Sequence, residues 1–281
     1  DYHGSLTKVS EGTLAITSAQ SYTGATRIKA GTLDLSGSLA SKDIRISEGA
    51  TLKSSNAGLN TESIVENSGT LDIAGVDQEI SVLNNNGTVS STGDVNATLT
   101  ASEYNLSGGS VINANLGTGT MNVSTAHSFV REPEPSEPAN NTTVLNGTSA
   151  ATTVNVLAGA TLTLGGAELL SNDATVTVNG TMNLGGLETI YQLFGGGTIN
   201  HNTFKLIVTN GGQFTGILNA GDTDVISDGG DLDFDGGIVN TDNVDVTNGG
   251  SVSIGKGAVV TTNPTNVNTG STHNVDGTSS L

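Results

Sequence analysis

The chain has 281 residues, with 39 glycines, no cysteine, no tryptophan and a formal net charge of −18. Apolar residues make up 34% and aromatic residues 3%, too few for a thick globular core but enough for a thin core of stacked aliphatic side chains. A charged fraction of 13% excludes a disordered polyelectrolyte, and the lack of cysteine excludes a disulfide framework and any thiolate site. The net negative charge argues against nucleic acid as a partner. No run of apolar residues is long enough to predict a membrane-spanning helix.

One short sequence motif recurs along the chain: a glycine-containing turn followed by a strand in which apolar and polar residues alternate. It is clearest at Ser10–Ile16 (S-E-G-T-L-A-I), Lys29–Leu35 (K-A-G-T-L-D-L) and Asn67–Ile73 (N-S-G-T-L-D-I). One glycine can be taken from each copy: Gly12, Gly31, Gly49, Gly69, Gly87, Gly159, Gly180, Gly197, Gly212, Gly230 and Gly250. Apart from one longer jump, these glycines follow one another at a nearly even interval, which is typical of stacked β-repeats. The pattern predicts an all-β solenoid with coils of about 15–22 residues.

Residues 1–128 contain the most regular repeats. A second short strand is predicted between successive copies of the motif, for example at 26–29 and 43–46. Apolar and polar residues alternate there with the period of a half-buried strand. Each coil is therefore predicted to run as strand, glycine turn, strand and a looser polar turn. Six of the nine basic residues lie in the first 53 positions, so the remainder of the chain is strongly acidic.

Residues 129–140 interrupt the pattern, because three of the four prolines alternate here with acidic residues. Proline cannot donate to a strand ladder, so this segment is predicted to be a loop or hinge. It is either a simple insertion between two solenoid halves or a protruding recognition or processing loop. The repeats resume over 141–281, and the polar stretch from Thr261 to Leu281 is either a last coil or a disordered tail.

Three segments near the start resemble a known family: Leu6–Leu14 (L-T-K-V-S-E-G-T-L), Tyr22–Thr26 (Y-T-G-A-T) and Ala30–Gly37 (A-G-T-L-D-L-S-G). They are similar to the passenger-associated strand repeat of bacterial autotransporters, with Ser10 in place of a usual glycine. The resemblance implies a right-handed parallel β-helix that is exported to the cell surface of a Gram-negative bacterium or secreted. On this basis the chain is expected to be a processed or excised piece of a passenger domain.

Acidic residues suggest one possible site for chemistry. Asp231, Asp233 and Asp235 alternate with Leu232 and Phe234, so the three carboxylates are predicted to share one strand face, with Asp228 just before them. Neighbouring carboxylates of this kind are stabilised by solvent or by a hard cation such as calcium. The strand is therefore either a solvated acidic face or a calcium site, and the spacing matches neither an EF-hand nor a nine-residue calcium repeat.

Other residues that commonly carry chemistry do not form recognisable sites. The histidines His3, His127, His201 and His273 stand singly, without the spacing of metal ligands, and no nucleophile elbow or phosphate-binding loop occurs. We therefore predict no catalytic, cofactor-binding or metal-binding residues, and no enzymatic activity.

The sequence leaves two functions open. The first is a structural or adhesive β-solenoid whose flanks of Asn, Thr and Asp contact another copy of the chain, a host or a matrix surface. The second is a carbohydrate-active β-helix that cleaves or binds polysaccharide through the Asp228–Asp235 strand. Its partners would be glycans, with calcium as a possible cofactor.

Overall fold

The computed structural model describes residues 3–125, 140–220, 224–234, 236–240, 243–255, 259–261, 266–267, 272–275 and 278–280. These residues form strands and turns and no helix, which confirms the all-β prediction. The chain divides into two compact units, Asp1–Ala150 and Ala151–Leu281, each of which is a parallel β-solenoid. The predicted loop at 129–140 lies outside the described residues except for Asn140. The predicted boundaries after residues 128 and 140 stay predictions.

The described part of the first unit contains 17 strands: β1 Leu6–Lys8, β2 Thr13–Ile16, β3 Thr26–Ile28, β4 Thr32–Leu35, β5 Asp43–Ile46, β6 Thr51–Ser54, β7 Ile64–Asn67, β8 Thr70–Asp72, β9 Gln78–Glu79, β10 Val82–Asn85, β11 Thr88–Ser90, β12 Thr98–Thr100, β13 Glu103–Ser107, β14 Val111–Ile112, β15 Asn115–Leu116, β16 Thr120–Ser124 and β17 Thr142–Leu145. Sheet 1A has the order β1-β3-β5-β7-β10-β13-β16, sheet 1B the order β2-β4-β6-β8-β11-β14-β17, and the short sheet 1C the order β15-β12-β9.

The described part of the second unit contains 19 strands: β18 Thr153–Val156, β19 Thr161–Leu164, β20 Thr175–Val178, β21 Thr181–Asn183, β22 Glu188–Ile190, β23 Gln192–Gly195, β24 Thr198–Asn202, β25 Leu206–Val208, β26 Gly212–Phe214, β27 Ile217–Ala220, β28 Asp224–Asp228, β29 Asp231–Phe234, β30 Ile238–Asn240, β31 Asn243–Thr247, β32 Ser251–Ile254, β33 Val259–Thr261, β34 Asn266–Val267, β35 Thr272–Val275 and β36 Thr278–Ser280. Sheet 2A has the order β18-β20-β23-β26-β29-β32-β35, sheet 2B the order β19-β21-β24-β27-β30-β33-β36, and sheet 2C the order β22-β25-β28-β31-β34.

The core of each unit is a set of aliphatic columns. In sheet 1B, Leu33 pairs in register with Leu52, and Leu52 pairs with Leu71; all three are fully buried. The residues on either side of them face outward, because successive side chains of a strand point to opposite faces. One apolar residue per coil therefore extends the core by one layer, which explains how 34% apolar residues suffice.

The recurrent glycines serve two different purposes. Gly49 has a φ of +73°, a left-handed angle that L-residues with a side chain rarely adopt, and open space surrounds it. Gly180 is not left-handed, but a Cβ there would lie 2.3 Å from the carbonyl oxygens of Leu157 and Ala160 in the preceding coil. One glycine therefore permits the turn and the other permits close stacking of coils.

Each coil was predicted to have two strands and a polar turn, and this is wrong where sheets 1C and 2C occur. Leu206–Val208, for example, pairs in parallel with Glu188–Ile190, and Leu206 and Val208 are fully buried. The two short sheets add a third wall to those coils, so part of the expected polar turn is strand.

Candidate interaction surface

The outer face of sheet 2B carries two parallel columns of side chains. Within Thr161–Leu164, Leu162 and Leu164 are buried, whereas Thr161 and Thr163 face outward. The following strands repeat this alternation, so the first and third residue of each strand stack on those of the next coil at a spacing of about 4.8 Å. The first column is Thr161, Thr181, Thr198, Ile217, Ile238 and Val259, and the second is Thr163, Asn183, Asn200, Asn219 and Asn240.

The second column forms an asparagine ladder, which comprises Asn183, Asn200, Asn219 and Asn240. Asn183 donates from Nδ2 to Thr163 Oγ1 at 3.1 Å, and Asn200 donates to Asn183 Oδ1 at 2.8 Å. Asn219 donates to Asn200 Oδ1 at 3.1 Å, and Asn240 donates to Asn219 Oδ1 at 3.5 Å. All four side-chain amides therefore point the same way along the sheet, which lets each bond polarise the next.

The asparagine ladder keeps part of its hydrogen-bonding capacity for an outside partner. A side-chain amide has two N–H donors and an oxygen with two lone pairs, and the bonds within the ladder use one donor and one lone pair of Asn200 and of Asn219. Asn219 and Asn240 are exposed. The ladder thus offers at least one further donor and one further acceptor per coil.

The first column changes from threonine to large aliphatic residues along the sheet. Ile217, Ile238 and Val259 pair in register on three successive coils and are 37%, 41% and 44% exposed. We call these three residues the aliphatic ladder. A contiguous exposed apolar column is a marker of an interaction site, whereas scattered exposed aliphatic residues are ordinary.

Sheet 2B also differs from the other sheets in its charge. Among the strand sets 1A to 1C and 2A to 2C named above, it is the one whose strands contain no Asp, Glu, Lys or Arg. Sheet 1B carries Asp34 and Lys53 on its outer face, and sheet 2A carries Asp231 and Asp233. The face with the two ladders is therefore uncharged, although the chain as a whole has a net charge of −18.

The first unit has a related but charged surface. On sheet 1A, Asn105 donates to Asn84 Oδ1 at 3.0 Å, and Asn122 donates to Asn105 Oδ1 at 3.1 Å. Asn122 also donates to Glu103 Oε1 at 3.0 Å, which places a carboxylate beside this ladder. Its chemistry is therefore that of an acidic surface, unlike the ladder on sheet 2B.

The predicted acidic strand is present as β29. Asp231 and Asp233 face outward while Leu232 and Phe234 are buried, so the prediction that these two carboxylates share a face is confirmed. Asp231 accepts a hydrogen bond from the Ser251 hydroxyl one coil further on. Asp235 lies outside the described residues.

Asp228 belongs to sheet 2C rather than to the strand with Asp231 and Asp233. Its carboxylate accepts from the Thr247 hydroxyl at 2.7 Å and from the Asn248 amide. No group of three or more His, Asp or Glu side chains placed to hold a metal ion occurs in the described part of the chain. The calcium hypothesis for this region stays a prediction.

Glu188 is a fully buried carboxylate that the sequence did not single out. Its Oε1 accepts the Leu170 N–H at 2.8 Å and its Oε2 accepts the Leu169 N–H at 3.1 Å, so it fastens the turn of the preceding coil. Burial raises the pKa of Glu188 to about 7, although the two amides lower it, and nearby Glu168 raises it further. One glutamate in an apolar sequence context, L-E-T-I, is the signal that could have identified it.

Of the scattered histidines, His201 is buried and His3 is exposed. The ring nitrogen Nδ1 of His201 lies 2.9 Å from the Phe204 carbonyl oxygen, and burial lowers the pKa of the imidazole, which favours its neutral form. His127 and the side chain of His273 lie outside the described residues. In that described part, no helix is long and apolar enough to cross a membrane.

The comparison with protein families bears on the first coils. Residues 6–35 match the passenger-associated-transport-repeat. This repeat and the parallel β-solenoid fit an autotransporter passenger domain with repeats, and they suggest a secreted or cell-surface protein. Searches of curated proteins and of solved structures gave no significant match.

Proposed function

We propose that this chain acts as an adhesive passenger, which attaches the cell that exports it to another surface through the outer face of sheet 2B. The observation that carries the proposal is the asparagine ladder, where bonds of 2.8 to 3.5 Å hold four amides in register. Because neighbouring coils already order these side chains, little rotamer entropy remains to be lost when a partner binds.

The chemistry of the ladder suits attachment better than selective binding of one small ligand. Each amide presents a donor and an acceptor, which match the hydroxyl and amide groups of glycans and proteins alike. A single hydrogen bond contributes only about 0.5–1.5 kcal/mol net. Repetition on successive coils, and of many copies on one cell, makes the summed attachment strong.

The proposal can be tested with microspheres coated with the purified chain. We expect the coated microspheres to adhere to protein-coated or polysaccharide-coated surfaces, and the double variant Asn200→Ala/Asn219→Ala to lose most of this adhesion. The matched control is Asn105→Ala/Asn122→Ala, which breaks the ladder beside Glu103 in the first unit. Adhesion that is absent from the unmodified chain, or that both double variants reduce equally, would contradict the proposal.

A further inference from the structure

The aliphatic ladder requires a partner chemistry that the asparagine ladder alone does not specify. Ile217, Ile238 and Val259 lie beside Asn219 and Asn240, with the two columns about 7 Å apart because they are two residues apart on each strand. The face thus combines an apolar stripe with a stripe of amides. A fitting partner offers the same two stripes and no charge.

A second copy of this chain has these properties. We propose that two copies associate through the outer face of sheet 2B, with the aliphatic ladder of one copy packed against the aliphatic ladder of the other. This deepens the proposed function, on which it rests, by naming a partner for the same face. Asparagine amides are self-complementary, since each one donates and accepts, so the amide stripes also match between copies.

The distribution of charged residues in the second unit favours this face for self-association. The second unit contains 12 acidic and two basic residues, so most approaches of one copy to another bring carboxylates together. Sheet 2B is the exception among the named sets of strands, because its strands contain no Asp, Glu, Lys or Arg. Repulsion between copies is therefore weakest where the apolar stripe is exposed.

The register indicates the symmetry of the pair. Ile238 is the middle member of the ladder, with Ile217 one coil before it and Val259 one coil after it. A two-fold axis through Ile238 would place Ile217 of one copy against Val259 of the second copy, with the sheets antiparallel, and both contacts are aliphatic. The face would then be a closed, isologous interface.

The expected affinity of the pair is low. Three coils at about 4.8 Å and two columns about 7 Å apart give a contact much smaller than a standard protein interface. We expect a dissociation constant between about 10 µM and 1 mM. Salt should strengthen the association, since it screens the repulsion between acidic copies and leaves the apolar contact intact.

Disulfide trapping offers a direct test, since the chain contains no cysteine. We expect Ile238→Cys to form a covalent dimer readily under a mild oxidant, because the two-fold axis brings the two thiols together. The matched control is Ile64→Cys, which replaces an isoleucine that is 46% exposed on sheet 1A. Equal crosslinking of the two variants would overturn the proposal.

Sedimentation equilibrium supplies a measurement without crosslinks. We expect Ile238→Asp to raise the dimer dissociation constant at least tenfold, and Ile64→Asp to leave it within about twofold of the unmodified chain. The triple variant Ile217→Thr/Ile238→Thr/Val259→Thr, which continues the column of Thr161, Thr181 and Thr198, should also be monomeric and should keep the strand circular dichroism. This variant separates loss of the interface from loss of folding.

The results for the pair and for adhesion are distinguishable. An unmodified chain that stays monomeric up to about 1 mM at high and low salt overturns the pair, even if coated microspheres still adhere to other surfaces. A chain that dimerises through Ile238 while its microspheres fail to adhere supports the pair and overturns the proposed adhesion. Dimers that persist in the triple threonine variant also overturn the pair.

Discussion

The side-chain amide of Asn219 donates to the side-chain oxygen of Asn200 at 3.1 Å, although the two residues belong to different coils. Asn200 donates in turn to Asn183 at 2.8 Å, so it accepts from one neighbouring coil and donates to the other. The outer face of sheet 2B is therefore held by side chains as well as by the backbone. This places a stabilising network on the same surface that we propose for attachment.

Asn200→Ala is expected to destabilise the second unit, because it removes two hydrogen bonds of the asparagine ladder. The expected loss in the free energy of unfolding is about 1–2 kcal/mol, measured by urea denaturation. Asn113→Ala removes a single bond of this kind, the one it accepts from Asn146 at 2.8 Å, and should cost about half as much. Equal losses in the free energy of unfolding would show that an asparagine inside the ladder contributes no more stability than one in an isolated pair.

The buried carboxyl of Glu188 predicts a pH dependence of stability. Its pKa in the folded chain is about 7, above that of an exposed glutamate, so folding favours the protonated form. The stability it contributes is present in full below about pH 4.5 and is lost as the pH rises through about 7. We expect the loss to be about 3 kcal/mol between these limits.

The contribution of Glu188 is separated from that of the other carboxyls by comparison with Glu188→Gln. The unfolding midpoint of this variant in urea should depend less on pH between 5 and 8 than that of the unmodified chain. Glu62→Gln is the control, since Glu62 is exposed and pairs with Lys42 at the surface. If the unfolding midpoints of the unmodified chain and of both variants depend on pH in the same way, the raised pKa of Glu188 is wrong.

Tyr104→Phe is expected to cost about 1–3 kcal/mol of stability. The buried hydroxyl accepts the Ala101 N–H at 2.9 Å and lies 3.1 Å from the Leu99 carbonyl oxygen, to which it donates, so its removal leaves a buried N–H without its partner. Tyr22→Phe, which removes a less buried hydroxyl near Thr26, should cost less. Ultraviolet titration gives a second measurement, because burial raises the pKa of Tyr104 to about 12.

Two glycine variants should differ in their effect on folding. Gly180→Ala places a Cβ 2.3 Å from two backbone carbonyl oxygens and should therefore destabilise the chain by several kcal/mol. Gly49→Ala meets no atom within 4 Å and costs only the strain of a left-handed alanine, about 1–2 kcal/mol. Thermal melts of the two variants measure the difference, and a larger loss for Gly49→Ala would contradict the stacking role of Gly180.

The alternative of a calcium-dependent, carbohydrate-active strand has its own test. We expect calcium to leave the melting temperature unchanged, since Asp228 and Asp231 already accept hydrogen bonds from the adjacent coil. The double variant Asp231→Asn/Asp233→Asn should melt at nearly the same temperature in calcium and in a chelator. A calcium-induced rise that this variant abolishes, or polysaccharide cleavage that it abolishes, would support the alternative.

The repeat was readable from the sequence because one aliphatic residue per coil occupies each core column. Leu33, Leu52 and Leu71 recur at one constant interval and pair in register, so the solenoid follows directly from their spacing. Leu206–Val208 was missed as a strand because so short a segment shows no period.

The candidate surface was only partly predictable. The sequence indicated flanks of Asn and Thr, but the asparagine ladder depends on which residues of different coils share a column. The number of residues between successive asparagines of the ladder increases along the chain, and such unequal spacings hide their alignment. Glu188 was missed because a single buried carboxylate at the start of a short strand has no periodic signature.

The chain segment that joins two paired strands is much longer at one place in the first unit than elsewhere in that unit. Val111 pairs directly with Val144, and Ile112 with Leu145, although the chain between the members of each pair is far longer than one ordinary coil. The parallel pairing therefore resumes unchanged after an extra segment between β16 and β17. Foreign sequence, such as a peptide epitope or a small folded domain, is best inserted there, because the register of the flanking strands already accommodates added length. The chain would in this way carry the added sequence without a break in its parallel pairing.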